Sequence, residues 1–194
     1  MNNIFKSSIG RKIAMALSGI FLIVFLTQHF IINITSVFSE EIFNMLSHFM
    51  GNNPLVQFIL QPILIAGVLF HFVMGFVLEW QNRKARPVTY AIYKGSRNSM
   101  FVSRNMIISG IVILSFLVLH FYDFWVPEMD YKYIKVKPLD PDRYYEELIH
   151  KFESPIRVSL YCISFIFLGL HLVHGLSSSS QSLDISGSNS FCRS

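Results

Sequence analysis

Residues 13–39 read IAMALSGIFLIVFLTQHFIINITSVFS, 27 residues without an Asp, Glu, Lys or Arg. A bilayer core about 30 Å thick is crossed by about 20 mainly apolar helical residues, so this stretch is long enough to span it. Three further stretches share the property: Ile42 to Leu78, Asn105 to Tyr122 and Val158 to Leu183. The four gaps predict four membrane helices, I over about Ile13 to Ile34, II over Val56 to Leu78, III over Met106 to Trp125 and IV over Val158 to Leu176. Strands of a membrane barrel would be about ten residues long and alternate in polarity, whereas these runs are apolar on every face. The expected fold class is all-α, a polytopic transmembrane helical bundle.

Composition agrees. Of 194 residues 52% are apolar and 14% charged, against about 25% charged in an ordinary soluble domain, and the mean hydropathy is +0.46. The first apolar run exceeds the 7–15 residues of a secretory signal core, and no small-x-small cleavage site closes it, so helix I is expected to be retained. Cys162 falls inside helix IV and Cys192 in a polar tail, which provides neither a disulfide framework nor a CxxC metal site.

Lys and Arg bias predicts orientation. Lys6, Arg11 and Lys12 precede helix I, and Arg83, Lys84, Arg86, Lys94, Arg97 and Arg104 lie around the II–III connection, so the N-terminus is expected to be cytoplasmic. The I–II connection carries Glu40 and Glu41 and no basic residue. The III–IV connection mixes Lys132, Lys135, Lys137, Arg143 and Lys151 with more acids, and parity places it outside. Trp80, Tyr90, Tyr93, Tyr122 and Trp125 fit interfacial belts. The run IFNMLSHFMGNN before Pro54 reads as an amphipathic segment roofing the bundle, ended by Gly51 and Pro54. Pro127, Pro138 and Pro141 mark an outer loop, followed by a short surface helix in DPDRYYEELIHKFESP. The net charge of +4 reflects the basic inner face, and nothing points to nucleic acid.

Each expected span holds a histidine: His29 in I, His71 in II, His120 in III and His171 in IV, with His174 one turn further on. Ionisable groups inside a membrane are costly and mark functional sites. At 1.5 Å of rise per residue, His29 and His120 lie roughly 24 and 21 Å from the inner ends of their helices. His71 and His171 lie roughly 10 and 8 Å from theirs. Two pairs therefore stand at two depths about 12 Å apart, each drawn from two helices. Two stacked bis-histidine haems require this, because each iron takes one imidazole from either side of the porphyrin. A zinc site would gather three or four ligands at one point, and a proton relay would use carboxylates, which the charge-free runs lack. Gly67 and Gly75 flank His71 on one helical face and leave room for a porphyrin; Gly175 follows His171 by four residues. Arg11, Lys12, Arg97 and Arg104 are candidates for pairing haem propionates or serve as plain inner-face anchors.

The ordered segments RKIAMALSGIFLIVFLTQHF (11–30), FNMLSHFMGNNP (43–54), FHFVMGF (70–76), SRNMIISGIVILSFLVLHFYDFW (103–125) and HLVHG (171–175) resemble the di-haem cytochrome b membrane anchor of succinate dehydrogenase and fumarate reductase. The resemblance covers residues 5–183. It implies a single di-haem domain over 1–183, with axial iron ligands His29 and His120 around an outer haem b and His71 and His171 around an inner one. His174 is the alternate to His171, which is preferred because the family's ligand also sits four residues before a glycine. The resemblance further implies a flavoprotein subunit and an iron-sulfur subunit as partners, and menaquinone or another quinone as the membrane substrate. It also implies a bacterial cytoplasmic membrane as the location, and a role in electron transfer rather than in succinate chemistry, since no flavin fingerprint or iron-sulfur cysteine set is present. A quinone pocket is expected to use the Glu40 to Asn53 segment, while His48 and His150 read as surface residues, His48 with the alternative of lining that pocket. The family has a fifth membrane helix after HLVHG, where this chain reads DISGSNSFCRS, so residues 184–194 depart from its pattern as a four-helix variant or an altered or shortened reading frame. The alternatives are an anchor of another quinone-linked enzyme, such as a hydrogenase or formate dehydrogenase, and a haem-free scaffold or small transporter.

Overall fold

A computed structural model describes residues 7–84 and 106–182. Helix α1 runs over Ser8–Ile34 and ends in a 3-10 turn, Thr35–Val37. Helix α2 is Glu40–Asn52, and a π turn, Val56–Leu60, leads into α3, Gln61–Lys84. Helix α4, Met106–His120, continues through a π turn, Phe121–Trp125, the short α5, Val126–Met129, and a second π turn, Asp130–Ile134. Then come α6, Arg143–Phe152, and α7, Pro155–Ser182. No strand occurs among the described residues, and four helical stretches are long and apolar enough to cross a membrane: Ile9–Val37, Val56–Lys84, Met106–Ile134 and Pro155–Ser180. The chain is a multi-pass helical membrane bundle. Arg86, Tyr90, Tyr93, Lys94, Arg97 and Arg104, like Lys6, Cys192 and the 184–194 tail, lie outside the described residues.

Each span runs past one end of its charge-free window, and at the end of α3 the charged residues reach water. Arg83 and Lys84 close α3 at its dipole-favoured end, with Arg83 Nε 2.6 Å from Glu79 Oε1. The largest departure from expectation is at Pro127, which was to mark a loop and instead lies inside α5. The π turn before it bonds Val126 N–H to the Phe121 carbonyl, five residues back, and this wider turn opens the helix where the proline ring would meet the preceding turn. The helical run ends only at Ile134, and the chain reverses at Val136 with φ 45°.

Lipid offers no hydrogen bonds, so polar side chains in the spans turn onto their own backbone. Ser18 donates to the Met15 carbonyl (2.8 Å), Thr27 to Ile23 (2.8 Å), Ser115 to Ile111 (3.0 Å) and Ser164 to Leu160 (2.7 Å). Ala16, Phe43, Ile113 and Tyr161 are the apolar residues buried among those described, and most large side chains of the spans face outward. Helix packing and the bilayer, rather than a dry core, hold such a bundle.

Helix α1 packs against α3 and α7, and α4 packs against α7 and more lightly against α3. That makes α1 and α4 one diagonal of the bundle and α3 and α7 the other. Helices α2 and α6 pack on each other over the end where α1 finishes and α7 begins. Ser39 caps α2 by accepting from Ile42 N–H at 3.2 Å, with Glu40 and Glu41 in the dipole-favoured first turn. Helix α2 ends at Asn52, where extended Asn53 precedes Pro54. A half-buried carboxylate, Glu128, ties this roof together. It accepts from Tyr144 Oη (2.7 Å), pairs with Lys132 Nζ (2.5 Å) and meets Arg143, while Lys132 also bonds the Gly51 carbonyl. Tyr145 N–H donates to Asn44 Oδ1 at 2.9 Å, joining α6 to α2.

Candidate functional site: two histidine pairs on the bundle diagonals

Element order repeats along the chain. Among the described residues a long helix, a roof helix and a second long helix occur twice, as α1–α2–α3 and as α4–α6–α7. The sequence carries the same duplication. Met15, Ser18, Gly19, Ile20, Phe25 and His29 of α1 recur at identical spacing in α4 as Met106, Ser109, Gly110, Ile111, Phe116 and His120. His71, Val73 and Gly75 of α3 recur in α7 as His171, Val173 and Gly175.

The structure brings equivalent residues together. On one diagonal, the rings of His29 and His120 stand 5.7 Å apart at an interplanar angle of 90°. On the other, His71 and His171 stand 6.4 Å apart at 74°. The first pair lies toward the α2–α6 roof, the second farther from it. His174 has no ring contact with His71, and the α7 histidine that faces α3 is His171.

Each roof-side histidine is braced by the phenylalanine one turn before it. Phe25 stacks on His29 (5.6 Å, 22°), and Phe116 lies against His120 (5.8 Å, 32°). Phe124 and Tyr161 add to the aromatic wall beside His120, whose Nδ1 is buried with no hydrogen-bond partner. The far-side pair is held differently. His71 Nδ1 lies 3.0 Å from Ser18 Oγ, and His171 Nδ1 lies 3.0 Å from Ser109 Oγ.

Whether these residues suit a haem is a question of donor set and reach. Two imidazoles ligating one atom from opposite sides, with metal–nitrogen bonds of about 2 Å, have centres about 6 Å apart. Both pairs have that separation, and each comes from helices that do not pack extensively on one another. Among the described residues no three or more His, Cys, Asp or Glu side chains converge on a single point, so the arrangement there is one of pairs.

The glycines divide. A Cβ on Gly67 would fall 2.7 Å from Phe21 Cε1, so Gly67 admits the α1 phenylalanine rather than leaving open space beside His71. Gly75 faces Met15 at 3.6 Å, while the space beside Gly175 is open. Gly19 lies against His71, with a Cβ there at 3.6 Å from Cε1.

A buried acid escaped the reading of charge-free gaps. Asp123, just past the third gap, has no exposed side-chain surface; its Oδ2 pairs with Arg157 Nε (2.9 Å) and accepts from Tyr161 Oη (3.1 Å), while Oδ1 has no partner. In the first half of the duplication the equivalent positions are Ile32, Gln57 and Gln61, so this ion pair belongs to the second half alone. His48 lies at the surface and makes specific contacts there. It is half-buried and joins α2 to the 135–142 connection through Nε2 and the Pro141 carbonyl (3.0 Å), lining a cavity of about 200 Å³ with Asn52, Gln57, Lys132, Arg143 and Tyr144. His150 is exposed, 3.1 Å from Glu153. Cys162 is free and exposed.

No family model, curated protein or solved structure matches the chain. The resemblance stated above therefore rests on the chain's own motifs.

Proposed function

We propose that the chain is a haem-bearing membrane anchor of the succinate dehydrogenase and fumarate reductase kind. It would pass electrons between an iron-sulfur subunit and membrane quinone through two haems b. The observation that carries this is the facing of equivalent histidines across both diagonals of one bundle, at two levels.

His29 and His120 would hold one haem, His71 and His171 the other. Bound haem supplies one-electron exchange between ferric and ferrous iron, which suits a chain with no flavin fingerprint of its own. The protein's part is to aim the four imidazoles, to fix their rings with Phe25, Phe116, Ser18 and Ser109, and to surround them with apolar side chains that exclude water. The proposal carries with it a cytoplasmic N-terminus, a bacterial cytoplasmic membrane, a flavoprotein subunit behind the iron-sulfur partner, and a quinone near the roof-side pair.

Because the far-side histidines already bond to serines on neighbouring helices, a second reading is a haem-free scaffold in which these bonds only join helices. Haem quantification with a reduced-minus-oxidised spectrum on the purified full chain separates the two. The anchor gives two low-spin haems per chain, the scaffold none.

A further inference from the structure

Ser18 and Ser109 are equivalent in the duplication, each 11 residues before a roof-side histidine. Eleven residues are about three helical turns, so each serine sits on the same face as that histidine and about 16 Å below it, level with the other pair. The reach is reciprocal: α1 supplies Ser18 to His71 of α3, and α4 supplies Ser109 to His171 of α7.

Each hydroxyl has one proton and two lone pairs. Ser18 Oγ is 2.8 Å from the Met15 carbonyl and Ser109 Oγ 2.9 Å from the Met106 carbonyl, and an oxygen pair that close needs a proton between its members. The carbonyl has none, so each serine spends its proton there. Toward the imidazole the serine therefore accepts, and Nδ1 must carry the hydrogen. In a neutral imidazole the other nitrogen, Nε2, then bears the lone pair.

We propose that Ser18 and Ser109 are positioning residues that lock His71 and His171 in the Nδ1–H tautomer and so present both Nε2 lone pairs for metal ligation. The tautomer follows from this hydrogen-bond geometry alone; its use toward iron rests on the haem reading above. The roof-side pair has no equivalent hydroxyl bond at His120, so the two levels are tuned differently. An Nδ1–H bonded to an oxygen makes the imidazole a stronger electron donor, which favours the ferric state and tightens binding.

The test uses the full chain in lipid nanodiscs with 15N-labelled histidine, at alkaline pH where imidazole is neutral. The haem-free protein should show His71 and His171 with the proton on Nδ1. Ser18→Ala should move His71 alone toward the Nε2–H form, and Ser109→Ala should move His171 alone. Ser18→Thr and Ser109→Thr, which keep the hydroxyl, should preserve the original tautomer. With haem added, each alanine variant should weaken one haem component by about 10–100-fold and raise its midpoint potential, leaving the other component unchanged. A wild-type chain with the proton on Nε2, or alanine variants that leave the tautomer unmoved, overturns the proposal. Equal shifts of both haem components overturn its assignment to one level. Where an alanine variant fails to fold, the wild-type and threonine spectra still decide the tautomer. Absence of haem with the Nδ1–H tautomer present would contradict the haem reading and leave the tautomer standing.

Discussion

His71 and His171 face each other at 6.4 Å from α3 and α7, two helices that sit diagonally across the bundle. His29 and His120, equivalent to each other as His71 is to His171, do the same across the other diagonal at 5.7 Å. A duplicated helix–roof–helix unit produces this directly. A rotation relating the two halves about the bundle axis brings each histidine onto its own copy, so two repeats yield two facing pairs.

Mutations should therefore act by pair. His29→Ala and His120→Ala should each remove the same haem component from the difference spectrum, and His71→Ala and His171→Ala the other. Loss of one common component from His29→Ala and His71→Ala would refute the pairing. His174→Ala should leave both components in place, because His171 is the residue that faces His71.

Close approach of α1 to α3 depends on Gly67. Alanine there would place Cβ 2.7 Å from the Phe21 ring, which must then leave its rotamer or push the two helices apart. Gly67→Ala should lower thermal stability in nanodiscs by about 1–3 kcal/mol as an overpacking change. Phe21→Leu should restore part of that loss, and a double variant no more stable than Gly67→Ala alone would show that this contact is not the cause.

Asp123 should be costly to disturb. Its carboxylate is wholly enclosed and satisfied on one oxygen by Arg157 and Tyr161. Asp123→Ala should destabilise the bundle by roughly 2–4 kcal/mol, since it removes both partners' acceptor. Tyr161→Phe, which removes only the hydroxyl, should cost about 1 kcal/mol. Equal losses from the two changes would indicate that the ion pair contributes little and that packing dominates.

The roof should be alkali-sensitive. Burial, then the Glu128 carboxylate it donates to, holds the Tyr144 phenol above its ordinary range. A group whose folded pKa is raised gives stability that is complete below its unfolded value, about 10 for tyrosine, and is lost as pH climbs through the folded value. Thermal midpoints of the wild type should therefore fall above pH 10 more steeply than those of Tyr144→Phe. Parallel curves would assign the alkaline loss to other groups.

The spans were legible because lipid imposes one rule, scarcity of charge over about 20 residues, and the four gaps obey it. Their ends were not, because Arg83, Lys84 and Glu128 are charges that helices carry at or beyond the apolar boundary. Pro127 misled for a different reason: a wide turn before it removes the clash that normally ends a helix. Depth arithmetic placed the four histidines in pairs, since helical rise is constant. Their serine partners were visible in principle, because the spacing from Met to Ser to Phe to His is the same in α1 and α4, but only a search for internal repeats exposes it. The Asp123–Arg157–Tyr161 contact had no such signal, as Asp123 follows α4 while Arg157 and Tyr161 begin α7, and only packing joins the two helices.

The central claim is that this bundle cages two haems between equivalent histidines. It is tested most directly by haem quantification and a redox difference spectrum on the purified full chain, alongside the His120→Ala variant. The account predicts two low-spin haems b per wild-type chain and one per variant chain. A folded wild-type chain that holds no haem would contradict it, as would a His120→Ala chain that retains both.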